Sequence, residues 1–329
     1  MPTNPTVQSN EHKSVMMDEV LKYMQPQKGD VIVDGTFGAG GHASALLDNA
    51  DCTVIGIDRD DNAKKYIDDI SAKYGNKFVF IDGKFGDMES LLKNKKIDKV
   101  DGILLDIGVS SMQIDNGDRG FSFQKEGPLD MRMASSGETA ADVVNNYSEE
   151  NIADIIYKYG DERKSRRIAR AIVNCREEKS IETTLELAEI VRKAVGRYSD
   201  SIHPATRTFQ ALRIYVNDEL RELERALAAA ENLLSEGGRL VVITFHSGED
   251  VILKQFLQGR SGRMSNVSRH LPVPSNISEK ETTFEMVVNK AIKPSKDEVS
   301  SNVRARSAKM RAARRVNVSP ESINIQVGG

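Results

Sequence analysis

The chain has few of the features that mark disulfide-rich, disordered or membrane-spanning proteins. Its 329 residues include only two cysteines and nine prolines. Cys52 and Cys175 form no CxxC pair and lack the spacing of metal ligands, which excludes a disulfide scaffold and a structural zinc site. The longest apolar stretches, such as Gly102–Asp106 and Arg239–Phe245, fall far short of the roughly 20 residues that cross a bilayer. We therefore expect no membrane association.

Length and composition indicate a globular, cytoplasmic protein. Hydrophobic residues make up 39% and charged residues 29% of the chain, which excludes an intrinsically disordered protein. No basic segment followed by an apolar one opens the sequence, so secretion is not expected. Because a typical domain has roughly 100–200 residues, one large or two coupled domains are expected.

The basic residues are unevenly distributed, although the net charge is −3. Nine lysines and arginines, against two acids, lie between Lys290 and Arg315. A second cluster lies on a segment whose apolar residues predict the buried side of a helix. It consists of Arg163, Lys164, Arg166, Arg167 and Arg170. A solvated face explains either cluster alone, and the two together make a polyanionic partner an equal alternative.

Near-continuous apolar runs alternate with helical patterns along the first hundred residues and predict buried parallel strands. The strands are Val31–Asp34, Thr53–Asp58, Phe78–Ile81 and Gly102–Asp106, followed later by Arg239–Phe245 and Phe284–Val288. Strands of this kind, separated by helices, are typical of a parallel sheet covered on both faces. The sequence therefore predicts an α/β fold with a doubly wound sheet.

Residues 107–238 separate the fourth strand from the fifth, whereas a parallel crossover needs only about a dozen residues. Helical patterns fill this span at Ser148–Tyr159, Glu162–Glu177 and Thr184–Val195, and Ala205–Leu234 is predicted to lead back to the sheet. We therefore expect an all-helical domain at 118–202, inserted into a sheet domain formed by 1–117 and 203–315. Residues 316–329 are expected to form a flexible tail.

Polar and glycine residues follow the strands, at the edge where open parallel sheets bind ligands. The loop from Asp34 to His42 is rich in glycine and contains a GxGxxA pattern, and Asp58 ends the second strand. Glycine lets a ligand approach the backbone, and a carboxylate at the second strand accepts hydrogen bonds from a ribose. A tight turn and a helix-capping acid explain the two features equally well when each is taken alone. Together they favour an adenosine-type cofactor.

The third and fourth strands refine this interpretation. Phe85 follows the third strand, where an aromatic ring can lie against an adenine. The fourth strand ends in Asp106 and continues into small polar residues up to Gln113. Such groups suit S-adenosyl-L-methionine and an incoming nucleophile. A nicotinamide enzyme would instead need a hydride-transfer partner and a proton donor.

Several long motifs follow one another along the chain. They are GTFGAGGHA (35–43), VIGIDRD (54–60), GILLDIGVSSMQID (102–115), RGFSF (119–123) with GPLDMRM (127–133), HPATRTFQALRI (203–214), and FHS (245–247) with Glu249 and Asp250. Together they closely resemble the bacterial small-subunit (16S) ribosomal RNA cytosine-N4 methyltransferases, from His12 to about Arg315. The chain departs from the family at Gly248 and Val251, where leucine and arginine are usual, and at Met112, where proline is usual.

The resemblance implies a Rossmann-like methyltransferase sheet with a helical insert for substrate recognition. It also implies S-adenosyl-L-methionine as donor and, as target, a cytidine of 16S ribosomal RNA at the decoding centre of the small subunit. The cofactor residues carried over from the family are Gly40, Gly41, His42, Asp58, Phe85, Asp106 and Gln113. No metal is implied, and the oligomeric state, a homodimer included, stays open.

The chemistry itself points to residues 106–111. The exocyclic amine of cytosine is a poor nucleophile because its lone pair is delocalised into the ring. An enzyme must align it about 3–3.5 Å from the methyl group and accept an N–H hydrogen bond. Asp106, or a carbonyl or hydroxyl group in Ile107–Ser111 such as that of Ser110, is the candidate acceptor. The target base must leave its stack to reach such a pocket.

Four further residues are weighed between site and structural roles. His42 is expected to cap a helix or to contact the cofactor through its backbone, and His246 is expected in the site. For Arg132 and Arg207, phosphate contacts and structural ion pairs are equal alternatives. Two other functions also remain: a nicotinamide-dependent dehydrogenase, and an inactive RNA-binding assembly protein.

Overall fold

The computed structural model describes residues 14–196, 202–262 and 282–316. Of the predicted flexible tail only Val316 falls within these ranges, so residues 317–329 lie outside the described part, as does His12. Within the three ranges, no helix combines the length and apolar character that a membrane crossing requires.

Seven strands form one sheet. They are β1 (Val31–Asp34), β2 (Thr53–Asp58), β3 (Phe78–Asp82), β4 (Val100–Asp106), β5 (Leu234–Thr244), β6 (Phe284–Met286) and β7 (Lys309–Arg315). The order is β3-β2-β1-β4-β5-β7-β6, and β7 runs antiparallel to both of its neighbours. Strand order therefore reverses between β1 and β4, which places the crevice of a doubly wound sheet beside Asp34 and Asp106. The predicted fold class is confirmed.

Helices cover both faces of this sheet. They are α1 (Met17–Met24), α2 (Gly41–Asn49), α3 (Lys64–Tyr74), α4 (Met88–Asn94), α11 (Glu219–Leu233) and α12 (Ser247–Arg260). Successive residues of β4 alternate between two cores. Ile103 and Leu105 pack with α4, α11 and α12, whereas Leu104 packs with α1 and α2. Burial on both faces explains why the strands are continuous apolar runs.

A separate hydrophobic cluster lies among the remaining helices. These are α5 (Ser111–Asp115), α6 (Ala140–Asn146), α7 (Glu149–Gly160), α8 (Ser165–Glu178), α9 (Thr184–Val195) and α10 (Thr206–Asn217), and a short α13 (Lys296–Ser301) precedes β7. The cluster takes in residues of α6 to α10, including Phe209 and Leu212. The single helical pattern predicted from Ala205 to Leu234 is therefore wrong. Asp218 adopts a left-handed conformation, with φ of 52°, and divides it into α10 and α11.

The last part of the C-terminal basic cluster forms strand β7, and two of its arginine side chains are buried. β7 lies between β5 and β6, and the side chains of Arg311 and Arg315 are buried. The guanidinium of Arg311 donates to Asp250 at 2.8 Å, and that of Arg315 donates to the carbonyl oxygen of Thr283 at 2.9 Å. Neither alternative given for this cluster, a solvated face or a polyanionic partner, fits Arg311 and Arg315, because the sheet buries and pairs them.

Candidate active site

One pocket lies at the carboxyl ends of β1, β2 and β4, beside the point where strand order reverses. Its lining includes seven residues that the sequence singles out, namely Gly41, His42, Asp58, Phe85, Asp106, Ser110 and Gln113. The sheet order produces this convergence, because it sets the ends of three strands side by side. It also brings in Asp60 and, from one distant segment after α13, Asn302 and Arg304.

Close packing and backbone hydrogen bonds hold the glycine loop in its conformation. Gly40 has φ of 75°, and a Cβ there would lie 2.1 Å from Ile70 and 2.8 Å from the Phe37 ring. Its N–H donates to the carbonyl oxygen of Phe37 at 2.7 Å, and it is not among the residues that line the pocket. These contacts account for glycine at position 40 through packing, and its contact with a cofactor stays a prediction. Gly41 does line the pocket, where a Cβ would collide with the hydroxyl of Ser14.

Asp58 is fixed by two backbone groups. Its Oδ2 accepts the N–H of Gly38 at 2.7 Å, and its Oδ1 accepts the N–H of Asp60 at 2.8 Å. Burial raises the pKa of Asp58, although these two hydrogen bonds act to lower it. A carboxylate has about four acceptor positions, so both oxygens can still accept a hydrogen bond from a ligand.

Asp34, His42 and Asp106 form a buried charged group below the pocket. His42 Nε2 lies 3.4 Å from Asp106 Oδ2, which is an ion-pair contact without hydrogen-bond geometry. Burial acts to lower the pKa of His42, but the Asp106 carboxylate outweighs it and the pKa is raised. The His42 side chain does not cap α2, whose N-cap is Gly40, and it faces a carboxylate; its predicted backbone contact with the cofactor stays a prediction.

Two carboxylate oxygens in this group have no hydrogen-bond partner among the described residues. They are Oδ2 of Asp34 and Oδ1 of Asp106. Burial raises the pKa of Asp34 to about 6. The sequence interpretation did not assign Asp34 to the site, although its place as the acid that ends β1 was a usable signal. Asp106 also lines the pocket with a side chain that is 21% exposed, although its unpartnered Oδ1 is itself buried.

Gln113 and Ser110 hold the loop after β4. Ser110 Oγ accepts the N–H of Gln113 at 3.2 Å, and Gln113 Oε1 accepts the N–H of Ser110 at 2.9 Å, which together form a capping box. The amide of Gln113 donates to Asp60 at 2.7 Å. Gln113 therefore already uses both ends of its side chain within the protein. Ser110 caps α5, which accounts for its residue type without a catalytic role.

Asp60 and Arg119 join the sheet to the segment that follows α5, and the sequence interpretation missed this pair. Arg119 donates to both oxygens of Asp60 at 3.0 Å. Burial acts to raise the pKa of Asp60, but the hydrogen bonds from Arg119 and its neighbours outweigh it and the pKa is lowered. The arginine that opens the RGFSF motif was the available signal. Only the fold shows that its partner is Asp60.

Hydrogen bonds from Asn217 of α10 hold the GPLDMRM segment (127–133) and are called the Asn217 clamp. Asn217 accepts the N–H of Met133 at 2.8 Å and donates to the carbonyl oxygen of Met131 at 2.7 Å. Met131 is fully buried with φ of 63°, a conformation that is costly for a long side chain. Met133 lines the pocket, so α10 fixes part of the pocket wall through Asn217.

Arg132, Arg207 and His246 are not among the residues that line the pocket. Arg132 makes a two-fold ion pair with Asp130, at 2.9 and 2.7 Å, which supports its structural alternative. Arg207 lies 3.9 Å from buried Glu162. His246 caps α12 through Glu249, and the pocket lining includes its neighbour Phe245 but not His246 itself.

Glu219, His246 and Glu249 are close enough to hold a cation together. Both oxygens of Glu219 already accept hydrogen bonds from the guanidinium of Arg213, at 2.8 and 2.9 Å. This pairing neutralises one of the two carboxylates, so the group does not require a metal for charge balance.

Comparison with known proteins identifies the family. The family model described as the MraW methylase family matches residues 9–316. The chain belongs to this family. A protein of Paramagnetospirillum magneticum named ribosomal RNA small subunit methyltransferase H is 54% identical over 307 residues, covering 92% of this chain and 95% of its own. Proteins of the same name from Rhodospirillum centenum and Rhodospirillum rubrum are 55% and 52% identical over 306 residues. These alignments cover 93% and 92% of this chain and 92% and 94% of the relatives.

Membership of the MraW methylase family confirms the predicted family and makes the chain a methyltransferase that uses S-adenosyl-L-methionine. The nicotinamide-dependent and inactive alternatives are not supported. The pocket fits this donor in two respects. Asp58 keeps free acceptor positions, and Asp106 brings a partly exposed carboxylate to the lining.

Proposed function

We propose that this MraW-family methyltransferase transfers a methyl group to N4 of a cytidine in 16S ribosomal RNA, at the decoding centre of the small subunit. The observation that carries the proposal is the carboxylate of Asp106, which lines the pocket with one oxygen unpartnered. An amine needs such an acceptor when charge develops on its nitrogen. The shared name of three relatives that are 52–55% identical supports ribosomal RNA as the substrate.

Within the proposal, three residues hold the methyl donor. The backbone of Gly41 lies along the donor, the remaining acceptor positions of Asp58 bind its ribose hydroxyls, and the Phe85 ring lies by its adenine. The bound sulfonium supplies an electrophilic methyl group. Gln113 and Ser110 act as positioning residues, because their hydrogen bonds fix the loop that connects Asp106 to the helical part.

Asp106 carries the chemical role in this scheme. Its carboxylate, whose Oδ1 has no partner among the described residues, accepts an N–H hydrogen bond from the cytosine amine, which orients the nitrogen lone pair and stabilises the positive charge that forms on it. As the N–C bond forms and the S–C bond breaks, the nitrogen must lose one proton, and the same carboxylate receives it. His42, 3.4 Å from the other oxygen, balances the charge of Asp106.

The helical part recognises the RNA in this proposal. The insert at 118–202 acts with α10, since α10 packs into the helical cluster. Of the α8 arginines, Arg166 and Arg170 pair with Asp154 and Glu149. Arg163 and Arg167 are exposed and make no ion pair with the described residues, so they are the better candidates for phosphate contacts. We place the reaction in the cytoplasm, on the small ribosomal subunit.

A comparison of three substrates tests the proposal. Methyl transfer from labelled S-adenosyl-L-methionine is measured on cytidine, a short single-stranded RNA and small ribosomal subunits in one buffer. We expect transfer to N4 of one cytidine in the subunits and little on the other two. Equal transfer to all three substrates, or methylation at a position other than N4, would contradict the proposal.

The basic face is tested by salt dependence. Removing one cation that pairs with a phosphate should flatten the slope of log affinity against log salt by about 0.7–0.9. Arg163→Ala with Arg167→Ala should therefore weaken RNA binding and reduce the slope by about 1.4–1.8. Arg192→Ala with Lys193→Ala on α9 is the matched control, because both side chains are exposed cations paired with Glu189. An equal effect of both pairs would exclude a specific role for α8.

A further inference from the structure

Four tyrosines line one groove on the surface of the helical part, away from the pocket described above. They are Tyr147, Tyr157, Tyr159 and Tyr215, from the turn before α7, α7 itself and α10. The whole chain has only eight tyrosines and no tryptophan, so half of its tyrosines meet at this place. None of the roles assigned above to the methyl-transfer site accounts for this concentration.

Three of the rings form a fixed floor. The Tyr147 and Tyr215 rings pack edge to face, with centroids 5.9 Å apart and hydroxyl oxygens 2.9 Å apart. The Tyr159 ring lies 6.1 Å from that of Tyr215. Tyr157 differs from the other three, since it is 61% exposed and makes no ring contact with another described aromatic residue. The groove thus combines a preformed aromatic floor with one ring that is free to stack.

The charges at the groove are of both signs: Lys158 and Asp154 are in the lining, and the Tyr147 hydroxyl donates to the Glu138 carboxylate at 2.8 Å. Asp154 is an acid in the lining, and the guanidinium of Arg166 neutralises it at 2.7 Å. This ion pair also places Arg166, on the basic face of α8, at the edge of the groove. Lys158 lines the groove. Arg163 is exposed in the loop before α8, and Arg167 is exposed on α8. Aromatic faces beside cations are the common means of binding single-stranded RNA, with bases stacked and phosphates paired.

Helix α10 connects the groove with the catalytic pocket, because it carries a residue of the groove and a residue that contacts the pocket wall. Tyr215 precedes Asn217 by two residues on α10, and Asn217 clamps Met131 and Met133. Met133 in turn lines the pocket. An RNA segment held in the groove would therefore engage the same rigid element that fixes the pocket wall.

We propose that this tyrosine groove binds an unstacked base of the substrate RNA, with the Tyr157 ring stacking on its face and the α8 arginines holding the adjoining phosphates. The inference rests on the proposed function, because it takes the same RNA as its ligand. Removing the target cytidine from its stack disrupts its neighbours. A second binding position for a displaced base offsets that cost, and stacking requires no particular base.

Tyr157 gives the sharpest test because it is exposed and makes no ring contact that a substitution would remove. Tyr157→Ala should weaken binding of protein-free small-subunit RNA about five-fold or more, the low end of the range for one stacked base. Tyr157→Phe retains the ring and should bind as the original does. Leu185→Ala, at a 42% exposed apolar side chain on α9 that does not line the groove, is the matched control. Donor affinity, measured by calorimetry, should be unchanged in all three.

Two further readouts separate stacking from other effects. The salt slope of Tyr157→Ala should equal that of the original chain, since a ring releases no counterions. Because the chain contains no tryptophan, Tyr157→Trp introduces a single indole, and a stacked base should quench its fluorescence on RNA addition. Unchanged RNA affinity of Tyr157→Ala, together with unquenched fluorescence, would overturn the inference.

The partner class is decided by comparing protein-free RNA with assembled subunits. Loss of affinity for both supports a base in the groove. Loss for subunits alone would show that the groove contacts a ribosomal protein, and the inference would fail. Its failure differs from that of the proposed function: if the unsubstituted chain methylates N4 in subunits while Tyr157→Ala binds RNA normally, only the groove assignment is wrong.

Discussion

Replacing Asp106 with asparagine keeps the shape of the side chain and removes its charge, which tests the chemical role of the carboxylate. In the folded protein its Oδ1 has no hydrogen-bond partner among the described residues and its Oδ2 lies 3.4 Å from His42, so the substitution removes the charge that acts on the ligand and on His42. A hydrogen bond to a charged group contributes about 1.5–3 kcal/mol. At about 1.4 kcal/mol per factor of ten, Asp106→Asn should slow methyl transfer by roughly ten-fold or more.

The assay is single-turnover methylation of small subunits at saturating S-adenosyl-L-methionine, which separates the chemical step from donor binding. Asp118→Asn is the matched control, because Asp118 is exposed after α5 and its carboxylate makes no hydrogen bond or ion pair with the described residues of the site. A saturated rate within about two-fold of the original, with only donor affinity reduced, would show that Asp106 binds and takes no part in the chemistry.

A second readout checks the geometry independently of activity. The Asp106 carboxylate raises the pKa of His42 against the effect of burial. Asp106→Asn should therefore lower the pKa of His42, measured by NMR titration of its ring protons and assigned with His42→Gln. An unchanged pKa would mean that the 3.4 Å contact does not exist in solution.

Three further predictions concern neighbouring residues. Asp58→Ala should weaken donor binding by about 1.5–3 kcal/mol in calorimetry, and unchanged affinity in a folded variant would refute its ribose role. Burial raises the pKa of Asp34 to about 6, so its ionisation costs stability as pH rises from about 4 through 6. Asp34→Asn should therefore unfold at higher urea than the original at pH 7 and at about the same urea at pH 4, and the opposite order would exclude a buried charge. Asn217→Ala leaves an N–H and a carbonyl oxygen without partners and should cost about 2–4 kcal/mol in urea unfolding, whereas a loss below about 0.5 kcal/mol would contradict the clamp.

Local patterns in the sequence determined the strands and the loops that follow them. Four apolar runs from Val31 to Asp106 correspond to β1–β4, because a strand buried on both faces must be apolar at every position. The motifs likewise determined the family, which the match over residues 9–316 confirms. Glycine loops and strand-end acids are local features, so position along the chain was enough to nominate Asp58 and Asp106.

Sequence patterns did not predict burial or helix ends where contacts between distant segments decide them. For the basic run ending at Arg315 the sequence left a solvated face and a polyanionic partner as equal alternatives, yet Arg311 and Arg315 are buried in β7. Their charges are acceptable there because Asp250 and backbone carbonyls accept their hydrogen bonds. Likewise, a single helical pattern extends through Asp218, and only the left-handed turn at that residue assigns α10 to the helical core and α11 to the sheet.

Tertiary structure alone decided which polar groups face one another. Asp34, His42 and Asp106 come from two neighbouring strands and one helix start. Burial raises the pKa of Asp34, whereas the Asp106 carboxylate raises the pKa of His42 against the effect of burial. The Asp60–Arg119 pair links segments 59 residues apart. Hydrogen bonds and ion pairs act over a few ångströms in space and leave no periodic trace in the sequence. The amino-acid sequence therefore determined which residue types are available for the site. The order of the strands in the sheet determined which of these residues contact one another.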